Sequence, residues 1–328
     1  MTSDIAVLER PTEPNATRST WPQVRVLLGV AVIALLVVRL GAGPFLDGIR
    51  LTRAWPLLAA TLITAATTAC CAWRWRLVAH ALCVRLDARA SFAAVYRAQF
   101  LNATLPGGVL GDVDRAVGQA GDSGPIGPGV RAVVWERTLG QVVQVALTIA
   151  VVLALPSPLR EAGRVVAAVA AVAIVSVLAI WVLGGRARPV RVAASDVRAF
   201  VVAPRAAVVA SAVSAAAVAG HVLVLLLAAR VAGVLAPMTE LVPLAMIVLL
   251  GASVPANIAG WGPREGVAAW AFGALGLGVT TGVTTAVVYG VMALVATLPG
   301  ALVLLAGRIP WRPSVPTRIV VLEEAARG

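Results

Sequence analysis

Asn102-Ala103-Thr104-Leu105-Pro106-Gly107-Gly108-Val109-Leu110-Gly111-Asp112-Val113-Asp114-Arg115 is the stretch on which the fold turns. Pro106 lacks a backbone donor, and Gly107, Gly108 and Gly111 permit non-helical dihedrals, so a continuous helix breaks here. The surrounding segment, Phe92 to Val117, is otherwise apolar enough to lie within a bilayer. Hydrocarbon offers the freed backbone groups no partner, so such a break needs a polar cavity. If helix resumes after Gly111, Asp112 and Arg115 stand three apart on one face, where they can pair or hold opposite ends of a zwitterionic headgroup. A second segment, Leu241 to Leu277, repeats the chemistry with Pro255, then Gly260 and Gly262, then the charge pair Arg264-Glu265. Ionisable groups at such depth cost about 2.5–3.5 kcal/mol each. Either they serve a substrate, or the pairs simply hold two helix breaks together.

Outward from these breaks the chain is a membrane protein by composition. Of its 328 residues 60% are hydrophobic and 13% charged, with a mean hydropathy of +0.92. A soluble domain has about a quarter of its residues charged. Apolar runs long enough to span fall at Val24 to Ala42, Ala54 to Trp73, Ala132 to Leu155, Ala162 to Leu183, Ala206 to Val231 and Gly282 to Ala306. The first is too long for a signal-peptide core and reads as an uncleaved helix. The expected class is all-α: six full spans plus two re-entrant or broken helical hairpins. The organisation is a polar segment over 1–23, a membrane domain over 24–307 with halves at about 24–155 and 162–307, and a tail over 308–328.

All of the 27 cationic residues are Arg, and the net charge is +12. Arginines at 74, 76, 85, 89 and 97, at 186, 188, 191, 198 and 205, and at 308, 312 and 318 read as loop clusters marking cytoplasmic segments, with both termini inside a cell membrane. Threading six helices through those points requires Phe92 to Val117 to leave and return on the inner side, and Leu241 to Leu277 on the outer side. The halves are then inverted copies, a plan in which discontinuous helices meet near the midplane. Charges lying in loops rather than on one soluble face exclude nucleic acid as partner.

A third feature opens the helix after the first break. Arg137, Gln141, Gln144 and Thr148 share one helical face and either line a path or, at the Glu136-Arg137 end, snorkel to the interface. Weaker signals surround it. Asp112 and Asp114 form an Asp-x-Asp, which suits a metal only on extended backbone, and no third ligand is evident. His221 shares a face with Ser211 and Ser214, fitting a proton relay or an interhelical hydrogen bond. Cys70, Cys71 and Cys83 have neither disulfide nor metal spacing. No nucleotide-binding glycine loop occurs, so neither ATP nor any other cofactor is expected.

The segment Asn-x-x-Leu-Pro-Gly-Gly-x-x-Gly-Asp-x-x-Arg at Asn102 to Arg115, the acidic-Arg-x-x-Gly at Glu136 to Gly140, and Pro255 with Gly-x-Gly-x-Arg-Glu-Gly at Gly260 to Gly266 resemble the lysylphosphatidylglycerol synthase transmembrane family, or flippase-like integral membrane proteins. The resemblance covers Val24 to Ala306. Glu136 stands where that family more often shows Asp, and Asp114 lies at a position it leaves variable. Bifunctional members move aminoacylated phosphatidylglycerol between leaflets, while a separate soluble domain makes it. The tail after Ala306 is too short for such a domain, so the resemblance implies the transport half: a lipid flippase for an anionic or zwitterionic phospholipid, aminoacylated lipids included, or a lipid-linked headgroup. Asn102, Asp112, Arg115, Glu136, Arg137, Gln141, Arg264 and Glu265 are then the substrate-binding residues, with no metal. Pro106, Gly107, Gly108, Gly111, Pro255, Gly260 and Gly262 form the breaks. The competing readings are an integral-membrane glycosyl or phosphoryl transferase, and a non-transporting scaffold for a lipid-modifying enzyme or glycosyltransferase partner.

Overall fold

The computed structural model describes residues 54–105, 109–120, 126–155, 158–183, 187–201, 203–253 and 263–306. Among these the chain is all-helical, in ten helices: α1 (Ala54–Ala81), α2 (Ala88–Thr104), α3 (Leu110–Ala120), α4 (Ile126–Ala154), α5 (Arg160–Leu183), α6 (Arg188–Val201), α7 (Pro204–Val231), α8 (Met238–Ala252), α9 (Pro263–Ala274) and α10 (Val279–Ala306). Four of them, α1, α4, α7 and α10, are long and apolar enough to cross a bilayer. Helix closes every backbone hydrogen bond within the segment, the condition hydrocarbon imposes. Leu58 and Leu62 on α1, Val208 on α7 and Leu302 and Leu305 on α10 face outward, as lipid-facing positions do. α5 coincides with the expected span Ala162 to Leu183 and packs against α4, exposing Val165, Val169 and Val172. The expected span Val24 to Ala42 lies outside the described residues, as do Pro106, Gly107, Gly108, Pro255, Gly260 and Gly262.

Each broken segment is a pair of short helices packed on one another, α2 with α3 and α8 with α9. Asp87 starts the first pair: its Oδ2 accepts the Ala90 backbone N–H at 2.9 Å, the usual carboxylate N-cap. Helix resumes at Leu110, one residue before the glycine from which the sequence predicts it.

The two halves share one pattern. α1 and α7 each have 28 residues, and the loops after them match at a displacement of 150, so that Cys83 (φ 61°) and Gly233 (φ 84°) are counterparts. Both close a Schellman cap: Val84 N–H donates to Ala79 O at 2.8 Å, and Val234 N–H to Ala229 O at 2.9 Å. α2, α3 and α4 then correspond in order to α8, α9 and α10.

The halves also interlock. α1 packs along α7, while α2 packs on α10 and α8 on α4, so each hairpin leans on the last helix of the other half. Tyr96 Oη on α2 donates to Ala296 O on α10 at 3.1 Å. The larger apolar core gathers Leu225, Leu244, Phe272 and Met292 from the second half, and a smaller one surrounds the fully buried Trp75 of α1.

Two sequence expectations are corrected. α1 runs eight residues past Trp73, so Arg74 lies inside a helix and is buried rather than marking a cytoplasmic loop. The arginines at 191 and 198, read as loop residues, stand on α6. That helix turns Arg191 and Arg198 outward and buries Asp196, whose Oδ2 accepts the Trp135 indole N–H at 3.0 Å and lies 2.9 Å from Arg131 Nε.

A buried arginine–carboxylate cluster as candidate functional site

Glu136 on α4 is 1% exposed and is the hub of the polar interior. Arg74 Nε of α1 donates to its Oε1 at 2.9 Å, and Arg74 Nη2 reaches the same oxygen. Arg115 Nη2 of α3 donates to Oε2 at 2.6 Å. A carboxylate leaves water only when charged partners replace its hydration, and two guanidinium forks supply that replacement. Arg74 Nη1 also donates to Ser214 Oγ of α7 at 3.1 Å, so one side chain ties α1, α4 and α7 together. Arg115 lies with its Cζ 4.4 Å from the centre of the Trp75 ring, a cation–π contact in a dry setting.

Asp112, one turn before Arg115, extends the cluster. Its Oδ1 accepts Arg115 Nη2 at 3.2 Å and Arg137 Nη2 at 2.7 Å; its Oδ2 accepts Asn102 Nδ2 at 3.1 Å. Asn102 Oδ1 in turn accepts the Gly111 backbone N–H at 2.8 Å, which satisfies a free donor in the first turn of α3. Thus Asn102, Asp112, Arg115, Glu136 and Arg137 meet in one network. Arg137 forms its open end, with a side chain 50% exposed. Three arginines against two carboxylates leave the cluster with one excess positive charge.

Two glycines make the approach possible. A Cβ on Gly111 would lie 2.1 Å from Ala98 O of α2, so only glycine lets α3 lie against α2 and bring Asp112 to Asn102. A Cβ on Gly140 would lie 2.9 Å from the Arg74 guanidinium. The acidic-Arg-x-x-Gly segment therefore has a local physical reason: the glycine one turn beyond Glu136 vacates the space its partner fills.

The stripe on α4 runs from exposed residues to a buried one. After Arg137, Gln141 Nε2 donates to Ser253 Oγ of α8 at 2.8 Å, and Thr148 is fully buried. Between them Gln144 joins His221 of α7, Ser253 and Tyr289 of α10 around a cavity of about 170 Å³ walled by Val218 and Leu249. Arg264 and Glu265 open α9 in the second half. They pair with each other, Glu265 Oε1 accepting Arg264 Nε at 2.9 Å and Nη2 at 2.5 Å, and Arg264 stands 5.3 Å over the Tyr289 ring. On the other face of α4 an apolar cavity of about 210 Å³ lies among Val78, Trp135, Leu139, Val142 and Phe200, with Asp196 at its wall.

Sequence reasoning missed Arg74 and Ser253 as site residues, and read Ser214 only on the face it shares with His221. The hydropathy that continues through Leu77, Val78 and Ala79 was the available signal for Arg74. Arg97, also read as a topology mark, pairs with Asp114 at 2.7 Å. Asp112 and Asp114 thus serve different arginines. Among the described residues no group of three or more His, Cys, Asp or Glu is disposed to hold a metal ion.

No curated protein and no solved structure matches the chain. The family model described as the lysylphosphatidylglycerol synthase TM region matches residues 24–300, a stretch that includes α1 to α9, most of α10 and the Glu136 cluster. By that match this membrane chain belongs to the lysylphosphatidylglycerol synthase transmembrane-region family.

Proposed function

We propose that the chain is a lipid flippase domain that carries an anionic or zwitterionic phospholipid headgroup between leaflets, the acyl chains staying in the bilayer. One observation carries this reading: a buried arginine–carboxylate cluster with one excess positive charge ends in the half-exposed Arg137, and seven residues further along the same face of α4 Gln144 lines a cavity between the two halves. A planar guanidinium grips a phosphate with two hydrogen bonds. Asp112 and Glu136 orient the arginines, so the anion meets a fixed cation without paying to arrange it. The repeated helix pattern supports two halves of inverted topology, with the hairpins α2–α3 and α8–α9 entering from opposite faces of a cell membrane and both termini cytoplasmic.

The test is reconstitution into phosphatidylcholine vesicles carrying a trace of phosphatidylglycerol with a labelled headgroup, probed with a membrane-impermeant quencher. Quencher reaches only the outer leaflet, so protein that exchanges leaflets raises the quenched fraction beyond one leaflet's share. Arg137→Ala, inserted at equal density, returns it to that share. A quenched fraction independent of protein would overturn the proposal and favour the scaffold reading.

A further inference from the structure

We propose that the cavity between α4, α7, α8 and α10 receives an uncharged, hydroxyl-bearing substituent on the headgroup phosphate, a polyol such as glycerol or inositol, and disfavours a cationic one. This rests on the phosphate reading above and names the class of lipid. The cavity presents an amide (Gln144), an imidazole (His221), a hydroxyl (Ser253) and a phenol (Tyr289). Each both donates and accepts, as a hydroxyl does; an ammonium only donates and calls for carboxylates. Among the described residues no hydrogen bond is seen from the Gln144 amide, the His221 ring or the Tyr289 hydroxyl, while the Ser253 hydroxyl accepts from Gln141 at 2.8 Å and donates to Leu250 O at 2.7 Å. Three polar groups therefore stand ready in a cavity of about 170 Å³, room for one ring-sized substituent.

The surrounding charge points the same way. The carboxylates of Asp112, Glu136 and Glu265 are each bound by arginine. Together with Arg74, Arg115, Arg137 and Arg264 they leave one excess positive charge, which attracts a phosphate and repels an ammonium. The aromatic ring that could face a cationic group, Tyr289, already has Arg264 over it at 5.3 Å. Register fits too. Gln144 lies seven residues beyond Arg137 on the same face, about 10 Å along the axis, the reach of a phosphodiester plus one ring. Gln141 stands between them and hydrogen-bonds the cavity rim at Ser253.

The experiment measures binding of the purified full chain in detergent to phosphatidylinositol, phosphatidylglycerol, lysyl-phosphatidylglycerol and phosphatidylethanol, a phosphodiester reference with an apolar substituent. Native mass spectrometry reads the bound fraction. The expected result is that phosphatidylinositol and phosphatidylglycerol bind about tenfold more tightly than phosphatidylethanol, the worth of one or two added neutral hydrogen bonds. Lysyl-phosphatidylglycerol binds no more tightly than the reference. Gln144→Leu and Tyr289→Phe each narrow the polyol preference, and His221→Leu serves if either fails to fold. Glycerophosphoinositol, the same headgroup without acyl chains, distinguishes a lipid from a soluble phosphodiester, since the tighter binder of the two names the source. Lysyl-phosphatidylglycerol binding best, or four equal affinities that all fall in Arg137→Ala, would overturn the polyol assignment and leave the phosphate reading intact. Affinities indifferent to Arg137→Ala would remove both.

Discussion

Replacing Glu136 by Gln keeps the shape of the side chain and deletes the charge at the centre of the network. In the native chain Glu136 is 1% exposed and faces Arg74 and Arg115, whose side chains are 7% and 2% exposed. The substitution leaves Arg74 without the carboxylate that neutralises it and leaves Arg115 with only the 3.2 Å contact to Asp112. Breaking a buried pair from one side costs about 3–5 kcal/mol because the remaining charge stays buried. At about 2–4 °C per kcal/mol for a chain of this size, that is a fall of about 6–20 °C in Tm. Arg115→Gln is the control: Glu136 keeps Arg74 on two nitrogens, and the main loss is the charge-assisted hydrogen bond to Glu136, about 1.5–3 kcal/mol, with the longer Asp112 contact and the cation–π contact to Trp75 going with it. Combining the two removes both a cation and the anion, and the double variant should lose less than the sum of the singles. Thermal unfolding in detergent, followed by tryptophan fluorescence, reads all three. Added salt should change the Glu136→Gln loss little, since screening acts on exposed charges. A Tm within about 2 °C of wild type, which is under about 1 kcal/mol, would refute the burial of charge at this centre.

Three further predictions concern single positions. Gly140→Ala, ordinarily favourable inside a helix by about 0.5–1 kcal/mol, should destabilise by about 1–3 kcal/mol because its Cβ meets the Arg74 guanidinium at 2.9 Å; a raised Tm would place Arg74 elsewhere. Cys83→Gly should stabilise by about 0.5–1 kcal/mol, since φ 61° suits glycine as at its counterpart Gly233; the midpoint of unfolding in a denaturant series checks it. The Asp87 carboxyl is held below its ordinary value, chiefly by the Ala90 N–H it accepts. Its capping contribution is therefore present above the ordinary carboxylate range and lost as pH falls through the lowered value, so the Tm gap between wild type and Asp87→Ala should close on acidification.

What the sequence made legible was the part carried by spacing along one helix. Asp112 and Arg115 were expected on one face and are in contact; Arg137, Gln141 and Gln144 were read as one face that lines a path or snorkels at its Arg137 end, and they stand at Asp112, Ser253 and the cavity, the first two exposed. What stayed hidden depends on helices crossing. Arg74 sits between Trp73 and Trp75 with Arg76 close by, the composition of a membrane boundary, and only the approach of α4 at Gly140 shows that it is interior. The Gln141–Ser253 contact needs α8 to pack on α4 across the halves, which no local pattern announces. The repeat is masked for a different reason. Cys83 and Gly233 hold the same left-handed cap with unlike residues, and Asp87 and Pro237 open equivalent helices by a side-chain cap in one case and a fixed φ in the other.

The contacts in the polar interior differ in how readily they yield, and this bears on how a headgroup could pass. The Glu136 cluster joins α1, α3, α4 and α7 through buried ion pairs whose opening strands charge in a dry setting, so it behaves as a rigid unit. The seam between α4 and α8 is held at Gln141 and Ser253 by a neutral hydrogen bond between exposed side chains, worth about 0.5–1.5 kcal/mol. Water or a headgroup hydroxyl can replace it at little cost. Arg137 stands on the rigid side of that seam, and Ser253 and Tyr289 on the other. Under the proposed function, a headgroup held by its phosphate at Arg137 and by its substituent in the cavity would bridge the seam where the protein's own contact is weakest. Movement of α8 against α4 would then exchange one modest hydrogen bond for another while the ion cluster, which ties α7 to the first half, stays closed.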